Sequence, residues 1–246
     1  MRTVILNLSL ELELLREAMG KPAAGPAQRA RRMHEVSRHE RMLGIALLLA
    51  EADTDGFFRH LTLSAEAHAR LLKETRDSGQ AVRFAGAGNI HPFCDALVAG
   101  QDTLARELAR LAPEQWIPGE EYEEDFVYGR FLHVLLLEGD QDLARQEALL
   151  DRMAQLDPEP EPRQRLCRAL FDRDADAFEV ALVEAASAHH RRSNELAATR
   201  FSPTPEGQTE RYVFIEGLAL LRLAKAAGLR TEPEHRLMPS LARWWD

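Results

Sequence analysis

Three proline-rich breaks constrain this chain more than any other feature. They are Pro113 to Gly119, the run Asp157 to Pro162 written DPEPEP, and Phe201 to Gly207 written FSPTPEG. Proline lacks the amide hydrogen that a continuing helix needs, so each break ends one element and starts another. Between the breaks Leu, Ala, Glu and Arg dominate, residues that lose little rotamer freedom in a helix. Helices this short need tertiary packing to persist. The pattern predicts an all-α fold of stacked antiparallel helical hairpins, solenoid-like in arrangement.

A weak internal repeat supports hairpins. FCDALVAGQDTLARELARL begins at Phe93 and LHVLLLEGDQDLARQEALL at Leu132, a shift of 39 residues. Gly100 then matches Gly139, Leu97 matches Leu136, Leu104–Ala105 matches Leu143–Ala144, and Leu111 matches Leu150. A poorer third copy, LCRALFDRDADAFEVAL, begins at Leu166. Each copy reads as an apolar helix end, a Gly/Asp turn and a second amphipathic helix, the unit from which helical solenoids are built.

The first part is organised differently. Between Val4 and Met19, leucines at 6, 8, 10, 12 and 14 alternate with polar residues, which is the period of a half-buried strand. Leu and Glu are nevertheless helix formers, β-branched residues are scarce after Ile5, and no partner strand follows, so the segment reads as helix. Gly20 to Pro26 is a turn. Long helices are expected over Ala27–Ala52 and Phe57–Asp77, with a turn at Asp53–Gly56. The loop 79–92, carrying Gly86, Gly88 and Pro92, divides an N-terminal helical subdomain (1–80) from the hairpin region (81–246), unless the two fold together as one domain. A last strong helix is expected over Glu210–Ala227, stopped by Gly228 in the left-handed region. Thr231 and Glu234 have capping-box spacing for a short helix that Pro239 ends. Trp244 and Trp245 close the chain as candidates for docking on the body or for an interface.

A formal net charge of −9 disfavours general nucleic-acid binding, because an acidic surface repels phosphates. Two distant cysteines, Cys94 and Cys167, make neither a disulfide framework nor a zinc pattern and suit a reducing compartment. Glu11 and Glu13 interrupt any signal-peptide core, and no apolar run of membrane-spanning length occurs. A cytoplasmic protein with no membrane partner and no cofactor is expected.

Motifs with chemical meaning are few. His34 and His39 in HEVSRHER are five residues apart, about 140° around a helix, where a zinc-binding pair needs i and i+4; the stretch reads as a solvated face. The arginines from Arg29 to Arg41 lack interleaved aromatics and carry Glu35 and Glu40, so they read as a surface helix, not as an RNA patch. His189–Arg192 suits the C-terminal half of a helix. Gly86-x-Gly88 lacks the third glycine of a dinucleotide fingerprint and reads as a loop. No nucleophile elbow or P-loop occurs, so catalysis and a metal are not expected. One segment stands out: GEEYEEDF, where Glu120, Glu121, Glu123, Glu124 and Asp125 surround Tyr122. Carboxylates in a first helical turn suit the macrodipole. Clustered around an aromatic, they also suit the steering and anchoring of a basic partner.

The run Leu166–His189, followed by RYVFIEGLALLRLAKAAGL from Arg211 to Leu229 and by Pro239, resembles the immunity protein 49 family of bacterial polymorphic toxin systems. The likeness covers roughly residues 90–245. It rests on Asp174, Phe178 and Leu182, then on Glu216, Leu218, Ala219, Leu223, Ala224 and Gly228. The resemblance implies a mostly helical protein that neutralises one cognate toxin by binding it and occluding its active site, with no catalytic residues to carry over. A toxin acting on nucleic acid would tend to be basic, and the six residues Glu120–Asp125 are then the toxin-binding candidates. The alternatives are a tetratricopeptide-like adaptor that binds peptides in a groove, and a hydrolase that removes a modification left by the toxin.

Overall fold

The computed structural model describes residues 1–21, 25–79, 82–159, 161–199 and 204–245. The middle of the first turn (22–24), residues 80–81, Pro160 of DPEPEP and the start of FSPTPEG (201–203) lie outside the described residues. Among the described residues eleven α-helices follow in order: α1 (Arg2–Met19), α2 (Pro26–Glu51), α3 (Thr54–Ser78), α4 (His91–Val98), α5 (Asp102–Leu111), α6 (Glu123–Glu138), α7 (Leu143–Leu156), α8 (Pro162–Asp172), α9 (Ala175–Ala198), α10 (Pro205–Gln208) and α11 (Ile215–Ala226). No strand occurs among the described residues, and the all-α expectation holds.

Helices adjacent in sequence pack as pairs: α1 on α2, α2 on α3, α4 on α5, α6 on α7 and α8 on α9. α11 returns to lie against α4 and α9. One cluster of buried side chains includes residues from Ala30 to Ala242, with Phe57, Phe131 and Phe178 fully enclosed; a smaller one joins Val4, Leu8 and Leu12 of α1 to Met42, Leu43 and Ala46 of α2. Aspartates start the second helix of three pairs. Asp53, Asp142 and Asp174 accept from the amides of Gly56, Arg145 and Ala177 at 2.8–3.0 Å, satisfying donors that the helix itself leaves open.

The three copies share one backbone feature. The eighth residue of each copy, Gly100, Gly139 and Arg173, has positive φ (77°, 52° and 56°) and turns the chain from one helix into the next. A β-carbon at position 100 would also lie 2.7 Å from the Trp244 ring. Gly100→Ala is therefore expected to lose about 2 kcal/mol, from left-handed strain plus displacement of that ring, read as a lower urea midpoint. An unchanged midpoint would refute this account of the turn.

α1 is helical, and its alternating leucines explain themselves. Two residues on is about 200° around a helix and four residues on about 40°. Leucines at every second position therefore form two stripes on opposite faces: Val4, Leu8 and Leu12 are buried, while Leu6, Leu10 and Leu14 are exposed.

Two C-terminal expectations are corrected. The last long helix begins at Ile215, not Glu210, because the preceding residues are used in tertiary bonds: the Glu210 carbonyl pairs with His189 Nε2 (2.9 Å) and the Phe214 amide donates to the Leu237 carbonyl (2.8 Å). The capping box at Thr231 and Glu234 starts no helix. The Glu232 amide and His235 Nε2 both bond the Glu179 carboxylate of α9 (2.7 and 2.8 Å), Leu237 adopts a φ of 65°, and the segment runs as turns. Trp244 and Trp245 dock on the body. Trp244 Nε1 donates to the Val98 carbonyl at 2.9 Å, and the Arg222 guanidinium lies over both rings, 4.6 and 5.8 Å from their centroids.

Candidate functional site

The acidic segment bridges a tight turn and the first turn of α6. Three of its carboxylates are committed internally. Glu121 Oε2 accepts from the Gly88 amide at 2.7 Å, while burial holds the carboxyl above its usual range. Glu123 takes a fork from Arg152 of α7 at 2.7 and 2.8 Å, and Asp125 pairs with Arg163 of α8 at 3.1 Å. Glu120, Glu124 and Tyr122 are left out of these bonds among the described residues, and Tyr122 is 76% exposed. Trp116 is half-exposed beside them, its indole N–H donating to the Glu121 carbonyl at 3.1 Å. The six candidates thus divide into three that fix the segment and three that face outward.

The loop read as Gly86-x-Gly88 is what receives Glu121. A β-carbon on Gly88 would meet Asp125 at 2.7 Å, so α6 and the loop approach with no room for a side chain. Backbone amides in such a turn make an anion seat, and here the chain's own carboxylate occupies it.

The polar helix α2 is less solvated than its sequence suggests. Glu40 is buried between Arg16 of α1 (2.6 Å) and His60 of α3 (2.7 Å). Arg41 is buried as well. It pairs with Asp95 of α4, reaches the His91 carbonyl at 3.2 Å and lies 3.1 Å from Glu210. Asp95 also accepts from Ser64 Oγ (2.7 Å), which lies 3.0 Å from Ser37 Oγ. Burial pushes the Asp95 carboxyl up to about 6, against the pull of Arg41 and Ser64. A second buried centre joins three helices: Glu216 of α11 takes a fork from Arg163 at 2.8 and 2.9 Å and a bond from the Tyr128 hydroxyl at 2.9 Å. Burial alone would raise the Glu216 carboxyl, but the charge and bonds of Arg163 with the Tyr128 bond outweigh it and hold it at about 2. Sequence spacing pointed to none of these partners, which are 54, 53 and 88 residues apart.

Three histidines pack on aromatic rings. His34 stacks on Phe84 at 4.3 Å, His133 meets the Phe93 edge at 4.8 Å, and His189 stacks on Phe214 at 4.6 Å. His39 bonds the Glu35 carbonyl and Glu11. The described residues contain no group of three His, Cys, Asp or Glu placed to hold a metal. No helix among them is long and apolar enough to cross a membrane. Both cysteines are buried, and burial raises both thiols.

A cleft of about 550 Å³ opens between α7, α8 and α9. Leu150, Ala169 and Ala181 form its apolar floor, and Arg165, Arg168 and Asp176 stand around it.

A family model described as immunity protein 49 matches residues 33–242. The chain belongs to the immunity protein 49 family. No curated protein and no solved structure matches it. The immunity protein 49 match includes the acidic segment, both buried ion centres and the α7–α9 cleft, and it leaves α1 outside.

Proposed function

We propose that this chain neutralises one cognate toxin by binding it directly, one to one, and covering the toxin's active site. Family membership over residues 33–242 carries the reading. The acidic end of α6 supports a location for the contact. Glu120 and Glu124 supply charge that attracts a basic surface, and Tyr122 with Trp116 supplies rigid amphipathic area of the kind that dominates interface energetics. Glu121, Glu123 and Asp125 serve the same contact indirectly, by locking the segment before binding and reducing the ordering cost. Neutralisation is stoichiometric and needs no catalytic residue of this chain, and the partner is met in the cytoplasm.

The test is co-expression with the product of the gene immediately upstream, followed by affinity purification and sizing. A one-to-one complex and restored growth are expected. The variant Glu120→Lys/Tyr122→Ala/Glu124→Lys is expected to lose at least about 2 kcal/mol of binding, a thirtyfold or larger rise in Kd, with unchanged circular dichroism. Full affinity in that variant would move the contact elsewhere. Rescue by far less than one equivalent would overturn occlusion in favour of a hydrolase acting on the toxin's product.

The apolar cleft between α7 and α9 favours one other reading, an adaptor that seats a peptide or helix there. An adaptor would recover several partners, all lost on Val180→Glu, since Val180 is an exposed apolar residue lining that cleft.

A further inference from the structure

We infer that the outer face of α1 is a self-association surface, on which a second copy of this chain docks its own α1 antiparallel about a two-fold axis at Leu10. The inference is independent of the toxin reading, because α1 lies outside the family-matched residues.

Leu6, Leu10 and Leu14 are 69%, 58% and 57% exposed, although their inward counterparts Val4, Leu8 and Leu12 are fully used against α2. Leucines at steps of four form one stripe about 40° off the axis per step. Scattered single leucines need no explanation, but a continuous apolar stripe does.

The charges beside the stripe choose the occupant. Arg2 flanks it at the N-terminal end; Glu13 and Glu17 flank it at the C-terminal end. The first turn of α1 contains no acidic residue. Laid antiparallel about Leu10, Leu6 faces the second copy's Leu14, Leu10 faces Leu10, and Arg2 comes beside the second copy's Glu17. Each helix then sets its electropositive N-terminal end against an electronegative C-terminal end. A parallel pairing would place Arg2 on Arg2 and Glu17 on Glu17. The surface is thus self-complementary in both shape and charge under one operator, the requirement for an isologous interface.

The helix is about 27 Å long and about 10 Å wide, and its leucine stripe from Leu6 to Leu14 runs for about 12 Å of it. Stable interfaces bury roughly 800 Å² per partner, so this contact is of the weak, reversible class, with dissociation in the micromolar range.

Sedimentation velocity of the full chain from about 1 to about 200 µM is expected to show a concentration-dependent monomer–dimer equilibrium. Leu10→Glu places like charges on the axis and is expected to raise the dissociation constant at least tenfold, with unchanged circular dichroism. Arg2→Glu and Glu17→Arg are each expected to weaken the dimer, and the two together in one chain to restore it, because the pair is re-formed with its signs exchanged. A wild-type chain that stays monomeric across the range would overturn the proposal, as would a dimer indifferent to Leu10→Glu. A dimer that the double exchange fails to restore would overturn the antiparallel register.

Discussion

Lowering the pH from 7 to 5 is expected to remove roughly 6 kcal/mol of stability, a large share of what a domain of this size possesses. Five buried or half-buried histidines drive it, all held below their ordinary value. His34 is held near 4, by burial first and then by the Arg38 charge, with Glu35 opposing. His68 is held near 3 by burial, with a small contribution from His34. His133 is held near 3 by burial, then by Arg130 and His68. His91 is held near 4 by burial and then by the Arg41 charge, with Glu210 and Glu216 opposing, and burial lowers His189 as well. The Nδ1 atoms of His68 and His133 find no partner among the described residues, so a charged ring has nothing to compensate it there. The direction follows from the depressed values. Above the unfolded value of about 6.5 these rings are neutral in both states. Below it the unfolded chain takes up protons that the folded chain refuses, and stability falls as pH drops toward 4 and 3. Each histidine contributes about 1 kcal/mol per pH unit. Asp95 works in the opposite sense below about 6, because its raised carboxyl favours the protonated folded state, but it is one group against five. Urea midpoints at pH 7, 6 and 5 read the slope. The variant His68→Leu/His133→Leu is expected to lose about half of the pH dependence whatever its stability at pH 7, with His34, His91 and His189 carrying the rest. A flat wild-type profile, or an unchanged slope in the double variant, would show that other groups control the acid limb.

The same residues show where sequence reading stops. Helices, breaks and the three hairpin turns were legible because they are local: proline removes a donor at its own position, and a glycine-bearing turn announces itself by composition. α1 was legible as helix only through residue type, since its period of two fitted a strand. What resolves the period is that one leucine stripe packs on α2 and the other does not, a tertiary fact. The HEVSRHER helix was read as solvated because its residues are polar. Glu40 and Arg41 are buried because partners from α1, α3, α4 and the turn before α11 reach them, and no spacing rule finds a partner 54 residues away. The capping box at Thr231 failed for the same reason, its segment being held by Glu179. The acidic segment was found as a cluster, but its division into anchoring Glu121, Glu123 and Asp125 and outward Glu120, Tyr122 and Glu124 depends on Gly88, Arg152 and Arg163, none of which is adjacent in sequence.

The Arg41–Asp95 pair supplies the second large effect. Both side chains are buried, and they tie α2 to α4 with Ser64 of α3 and Glu210 as further partners. A buried ion pair need not be net stabilising, since desolvating both charges offsets much of their attraction. Removing one partner alone is different, because the other charge stays buried without compensation. Arg41→Met is therefore expected to cost about 3–5 kcal/mol at pH 7, read as a lower urea midpoint with an unchanged slope. Part of that loss should return at pH 5, where the stranded Asp95 takes up a proton and ceases to be a buried charge, so this variant should lose less on acidification than the wild type. Arg41→Met/Asp95→Leu removes both charges and is expected to recover most of the loss, leaving Glu210 and the His91 carbonyl without their arginine and Ser64 with Ser37 as its partner. If the double variant is as unstable as the sum of the singles, the two side chains act separately and their pairing is not what ties α2 to α4. If Arg41→Met stays within about 1 kcal/mol of wild type, water or a rearranged Ser64–Ser37 chain must solvate Asp95, and the site is wetter than its burial implies.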